Sequence, residues 1–187
     1  MLRKIVRDVR AIAENDPAAH NLLETLLCHT PLHAIVIYRM AHALHGLGIP
    51  VLPRFLSTIA KVFTGVEIHP AAEIGAGFFI DHGVGVVIGE TAQVGEDCVM
   101  FHNVTLGGTG KHHGKRHPTI EDHVLIGTGS VLLGPLTVGA HSNIGANSFL
   151  IMHDVPPNST VVGTPARIVR QDGRKTDLPL PRTQEPA

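Results

Sequence analysis

Two short segments carry the side chains best suited to chemistry. The first is Ile80-Asp81-His82-Gly83-Val84-Gly85, in which a carboxylate stands directly before an imidazole. An imidazole titrates near pH 6.5 and exchanges protons at neutral pH, and a neighbouring carboxylate favours its charged form. The second is GGTGKHHGKRHPT, from Gly107 to Thr119, which ends in Lys115-Arg116-His117-Pro118 and holds no apolar residue. A histidine standing alone is as often a solvated surface group as a working one. At His82 the adjacent acid, and a break in the repeat just after it, favour function. A metal site is a second possibility, because the chain has 14 histidines. His82, His117, His123 and the His112-His113 pair are its candidate ligands.

What positions these segments is a repeat. Ile68, Ile74, Ile80 and Val86 recur every six residues; the row slips by two and continues as Ile88, Val94, Met100 and Leu106. After the loop it resumes as Ile120, Ile126, Leu132, Val138, Ile144 and Leu150, with Val162 two periods on. Glycine commonly follows, as at Gly75, Gly89, Gly95, Gly107, Gly127, Gly139, Gly145 and Gly163. A helix needs a period near 3.6 and a simple strand a period of 2. Six residues fit one side of a triangular parallel β-solenoid, three sides per coil, with the aliphatic residue pointing inward. Allowing for the slip and about eight inserted residues, Val66 to Pro165 makes five coils of 18 residues. At about 4.8 Å per strand the prism is roughly 24 Å tall. Ile80 and Met100 then lie on the same side one coil apart, so His102 stacks near His82. Glu67, slightly less than one coil before His82, can face the same corner from below.

Before the repeat, apolar spacing predicts helices over Leu2–Glu14, through Leu22, Leu23, Leu26 and Leu27, through Leu32 to Leu47, and from Pro50 through Val62. Asp16 and Pro17 suit the N-cap and first turn of the second helix. The resulting organisation is a helical cap over 1–65, a β-helix over 66–170 with an excursion loop at 107–119, and a mobile tail over 171–187 rich in proline and scattered charge.

Composition narrows the function classes. Of the 187 residues 43% are hydrophobic but only 4% aromatic, which suits a thin prism that large rings do not fit. A formal net charge of −1 gives no case for nucleic acid or a membrane surface. No apolar run reaches the ~18 residues of a spanning helix, and Met-Leu-Arg-Lys opens no secretory signal. Cys28 and Cys98 suggest no disulfide framework, so a cytoplasmic protein is expected.

The segments IDHGVGVVIG, GETAQVG, TLGGTGK, KRHPTI and VGTPARIV together resemble the serine O-acetyltransferase family, from about Asp16 to Val169. The resemblance implies a left-handed β-helix that assembles as a homotrimer or dimer of trimers, with active sites between subunits. It implies His82 as general base on the L-serine hydroxyl, attacking acetyl-CoA, with Glu67 orienting it where the family commonly has Asp. Asp81, Arg116 and His117 match serine-holding residues, as do Asp16 and Pro17, although Asp-Pro is equally an ordinary helix start. Gly108, Thr109 and Ala146 match the coenzyme A groove. Acetyl-CoA would be the co-substrate, no metal is expected, and L-cysteine would act as feedback inhibitor. The chain ends Gln184-Glu185-Pro186-Ala187 rather than in isoleucine, so the usual complex with O-acetylserine sulfhydrylase is not expected. Three rival readings remain: a zinc enzyme resembling γ-carbonic anhydrase, an acetyltransferase acting on a sugar or another hydroxyl, and an inert solenoid that binds partners.

Overall fold

The computed structural model describes residues 1–110 and 113–183. Four helices come first: α1 (Leu2–Asn15), α2 (Leu22–Cys28), α3 (Thr30–Gly46) and α4 (Leu52–Thr64). A parallel β-helix of about five coils follows. Its first side stacks β1 (Glu67–Ile68), β4 (Val87–Ile88), β7 (Thr105–Gly107), β10 (Val131–Leu133) and β13 (Phe149–Ile151). The second stacks β2 (Glu73–Ile74), β5 (Gln93–Val94), β8 (Thr119–Ile120) and β11 (Thr137–Val138). The third stacks β3 (Phe79–Ile80), β6 (Val99–Met100), β9 (Leu125–Ile126), β12 (Asn143–Ile144) and β14 (Ser159–Gly163).

The register follows the hexapeptide row. Ile68 pairs with Ile88, two residues beyond a full coil, and Leu106 pairs with Leu132 across 26 residues, eight more than the 18 between Leu132 and Leu150. Every inward member from Ile68 to Leu150 is buried. The row ends differently from expectation. Ile144 pairs with Val161, which is buried, while Val162 is exposed. The cause is the fifth coil: Leu150 still pairs with Leu132 eighteen residues back, but Val155 bridges Val138 across only seventeen, so the turn between Leu150 and Val155 is one residue shorter than in the coil below.

Two of the three edges of the prism turn in the left-handed backbone region in every coil. On the edge between the second and third sides, Asp97, His123, His141 and Asn158 have φ of 53°, 57°, 59° and 55°. Asn, Asp and His are the residues that tolerate this region without being glycine. The edge between the third and first sides carries the two-residue slip. There His82 (φ 60°), Gly83 (φ 78°) and Gly85 (φ 80°) form a wider corner. A Cβ at Gly85 would stand 2.0 Å from Asn103 Oδ1 in the next coil, so this corner closes only on glycine.

The cap seals the open end of the prism. Ala34, Ile35 and Tyr38 of α3 pack on the same core as Val66 and Ile68, and Ile12 and Leu32 cover the outward ring of Phe79. A buried ion pair fastens it: Arg39 Nε and Nη2 donate to Asp8 at 2.7 and 2.9 Å, and Arg39 also donates to Ile74 O (3.1 Å) and Gly75 O (2.6 Å). Asp8 Oδ1 accepts from the Phe78 N–H at 3.1 Å, so the clasp joins α1, α3 and the first coil. By contrast, Phe55, Val62 and Phe63 of α4 and Val84 of the wide corner are exposed apolar side chains.

Two further expectations are corrected. The N-cap of α2 is Asn21, accepting from Leu23 N; Asp16 instead closes a tight turn by accepting from Ala18 N at 2.8 Å, which leaves Pro17 exposed outside any helix. The segment read as a mobile tail is instead built largely of paired strand. Strands β15 (Ala166–Gln171) and β16 (Arg174–Pro179) form an antiparallel hairpin on the third side, Leu180 packs on the core, and His153 bridges Arg182. Its turn is Asp172-Gly173, with φ of 48° and 77°, a two-residue hairpin signal that outweighs the surrounding prolines. Residues 184–187 lie outside the described residues.

Candidate active site

The wide corner presents His82 outward, its side chain 74% exposed, with Asp81 Oδ2 3.7 Å from its Nε2. His102 stands one coil away, its ring 5.7 Å from that of His82 in an edge-on arrangement, as the repeat predicted. Asp16 lines a small cavity of about 180 Å³ with Thr25, Cys28 and His29. The His29 Nδ1 accepts from Leu32 N (3.2 Å) and its ring lies 6.0 Å from Phe79, so it packs against the strand that leads into Asp81 and His82. Burial lowers the pKa of His29, opposed by the charges of Asp16 and Asp81, which places both carboxylates within electrostatic reach of it. Asp16, His29, Asp81, His82 and His102 therefore form one neighbourhood.

Glu67 does not join them. Its carboxylate accepts Lys61 Nζ at 2.6 Å, and it makes no hydrogen bond to His82 among the described residues. Lys61 lies in the last turn of α4, directly above the first strand, a proximity that the six-residue period does not contain.

The second cluster occupies a different edge, between the first and second sides. Here the excursion loop returns to the prism and His117 is buried. Thr91 holds it: the Thr91 N–H and Oγ1 donate to His117 Nδ1 at 3.2 and 2.9 Å, while Oγ1 accepts the Arg116 and His117 N–H groups at 3.0 and 3.1 Å. With Nδ1 an acceptor, the proton of the neutral ring sits on Nε2. Burial lowers the His117 pKa and the Arg116 cation lowers it further, against the pull of Glu90, so the ring stays neutral at pH 7. Arg116 pairs with Glu90, whose own pKa it depresses. Lys115 donates to Thr91 O (2.8 Å) and Gln93 Oε1 (3.2 Å). The ring of His117 lies across Gly89, where a Cβ would meet its Cδ2 at 2.1 Å and Nε2 at 2.2 Å.

Glu90, Thr91 and Gly89 belong to the GETA segment, and sequence reasoning gave them no role because their partner lies 26 residues on, across the loop. Gly108 sits beside Arg116 and His117, and Thr109 lies against Gly134, all on this same edge. Ala146 is on the His82 edge, exposed, between β12 and β13. The loop residues Lys111 and His112 lie outside the described residues. A prism side of about six residues at about 3.3 Å each separates neighbouring edges by roughly 15–20 Å. Within one chain, then, the two clusters do not meet. His82, His117 and His123 occupy three different edges, and among the described residues no three acid, His or Cys side chains converge as a metal site. Cys28 is exposed and Cys98 buried, both free, and no described helix is long and apolar enough to cross a membrane.

The chain is similar to known proteins over nearly its whole length. A family model described as bacterial transferase hexapeptide (six repeats) matches residues 117–151. The chain is 50% identical over 186 residues to the serine acetyltransferase of Synechococcus elongatus, covering 100% of this chain and 75% of that one. It is likewise 50% identical over 186 residues to that of Bacillus subtilis, covering 96% and 85%. Among solved structures, soybean serine acetyltransferase complexed with serine superposes with a TM-score of 0.86 at 45% identity, over 89% of this chain and 68% of that one. The Brucella abortus enzyme in complex with coenzyme A gives 0.88 at 40% identity, over 94% and 69%. A serine acetyltransferase in complex with cysteine gives 0.88 at 41% identity, over 91% and 66%.

Proposed function

The chain belongs to the serine acetyltransferase family, and we propose that it transfers acetyl from acetyl-CoA to the L-serine hydroxyl, giving O-acetyl-L-serine and coenzyme A in the cytoplasm. The observation that carries the assignment of roles is the exposed His82 on a wide left-handed corner, flanked by Asp81. His82 takes the hydroxyl proton as the serine oxygen attacks the thioester carbonyl. Collapse of the tetrahedral adduct breaks the C–S bond, and the imidazolium returns the proton to the departing thiolate. Asp81 and Asp16 receive the serine ammonium. Arg116, its fork steadied by Glu90, receives the carboxylate, beside the Nε2–H of neutral His117.

These groups sit on two edges of one chain, which supports a site assembled between neighbouring subunits of a homotrimer: the His82 edge of one faces the His117 edge of the next. The exposed apolar side chains Phe55, Val62 and Phe63 of α4, with Val84 at the His82 corner, supply a surface for that contact. Gly108 and Thr109 of one subunit, with Ala146 of its neighbour, line a groove for the pantetheine arm. L-Cysteine fits the serine site by its ammonium and carboxylate, with a thiol in place of the hydroxyl, and so inhibits.

The test is thiol release from acetyl-CoA with L-serine, threonine, homoserine and a panel of sugars as acceptors. Release that requires L-serine and disappears in His82→Ala is the expected result. Activity on another hydroxyl but not on serine would move the substrate, and activity retained in His82→Ala would remove the base.

A further inference from the structure

The catalytic base needs a group that fixes its ring, and the carboxylate that sequence reasoning gave that task is engaged by Lys61. His102 is the alternative built into the corner. Its Nε2 lies 2.7 Å from Thr128 Oγ1, and the same hydroxyl lies 3.1 Å from His102 O. Thr128 has one proton. Donated to the carbonyl, it leaves the hydroxyl oxygen to accept from His102 Nε2–H, and the ring then bears no proton on Nδ1. That Nδ1 is buried and bonds nothing among the described residues. A buried nitrogen without a partner costs more as an N–H donor than as a lone pair, which favours the same tautomer. The bare nitrogen belongs to the ring that meets that of His82 edge-on at 5.7 Å, and the His82 side chain, 74% exposed, has room to turn toward it.

We propose that His102 is a positioning residue for the reaction: clamped by Thr128, it accepts a hydrogen bond from one nitrogen of His82 and so aims the other, unprotonated nitrogen at the substrate hydroxyl. Asp81 lies on the opposite side of this choice. A His82 ring turned to Asp81 spends its Nε2 on a carboxylate that serine's ammonium needs, whereas a ring turned to His102 frees both groups. Asp16 is a further charged group near this corner, acting together with Asp81 on His29. The proposal rests on His82 as the base.

The experiment compares His82→Ala, His102→Ala, His102→Gln and Thr128→Val by steady-state kinetics with L-serine and acetyl-CoA. Gln keeps both a donor for Thr128 and an acceptor for His82; Ala keeps neither. For His102→Ala we expect kcat to fall roughly 10- to 100-fold, the range for a misaimed reacting group, with both KM values within about twofold of wild type. His102→Gln should recover most of that loss, and Thr128→Val, which frees the ring to take the other tautomer, should lower kcat without changing either KM. Wild-type kcat in His102→Ala overturns the proposal, as does a His102→Gln variant as slow as His102→Ala. His82→Ala separates the two levels: if it stays active the base assignment itself fails, and if it is inactive while His102→Ala is normal only the positioning role fails.

Discussion

Replacing Gly89 with alanine isolates one contact of the site. Gly89 has an ordinary negative φ, so alanine fits the backbone, and the nearest obstacle is the ring of His117, 2.1–2.2 Å from where the methyl group would be. Contact between carbon and ring atoms needs about 3.5 Å, so the ring must move by more than 1 Å. That movement stretches the 2.9 and 3.2 Å bonds from Thr91 beyond hydrogen-bonding length. Two lost bonds cost about 1 kcal/mol each, and a displacement of 1 Å in a substrate-positioning group costs about 100-fold in rate. We therefore expect kcat/KM for L-serine to fall about 100-fold in Gly89→Ala, while the KM for acetyl-CoA stays within about twofold. The assay is thiol release with serine varied at saturating acetyl-CoA. The double variant Gly89→Ala/His117→Ala should be no worse than His117→Ala alone, since the three atoms nearest the methyl group all belong to the ring. A single Gly89→Ala variant within twofold of wild type would refute the reasoning, because it would mean that the position of the ring does not matter.

Other perturbations test the rest of the account. Asp8→Ala leaves Arg39 buried without its carboxylate and should destabilise by about 3–5 kcal/mol, read as a fall of roughly 10 °C in melting temperature; an unchanged melting temperature would remove the clasp. His69 is pushed down to about 4, by burial first and the Arg54 charge second, while its Nδ1 accepts the Ala71 N–H at 3.0 Å. An unfolded chain binds that proton near pH 6.5, so stability is full above pH 6.5 and lost as pH falls toward 4, by no more than about 2–3 kcal/mol after solvent screening. His69→Asn, which keeps the acceptor without the titration, should flatten the dependence of the urea midpoint on pH between 7 and 5; an identical slope would contradict it. Arg116→Ala should raise the serine KM by about 10-fold or more through the lost carboxylate contact, with little change in the acetyl-CoA KM, and an unchanged serine KM would argue against that contact.

The legible part of this molecule is what depends on period. The row from Ile68 to Leu150, the two-residue slip, the eight-residue insertion and the stacking of His102 on His82 all follow from counting, because each coil repeats the geometry of the last. What escaped is what depends on contacts between unlike elements. Lys61 reaches Glu67 because α4 ends just above the first strand, and no spacing rule links a helix to a coil. Thr91 grips His117 because the loop between them folds back onto the prism, and Gly89 leaves the room for it. His29 lacked any visible motif, since it is simply the N-cap of α3 until its packing on Phe79 brings it beside Asp81. The hairpin is a different case: Asp172-Gly173 is a readable turn, but Pro179 and Pro181 beyond it carry the composition of a loose segment and mask the strand that pairs.

The central claim is that a single site is made from the His82 edge of one subunit and the His117 edge of the next. Mixing answers it most directly. His82→Ala and His117→Ala chains, each inactive at low serine, are unfolded and refolded together in equal amounts and assayed for serine-dependent thiol release. Random assembly into closed trimers gives each site a chance of about one quarter of drawing an intact His82 edge and an intact His117 edge, so about a quarter of wild-type activity should return. A mixture as inactive as its two components would contradict the account, because it would place both histidines of each working site on the same chain.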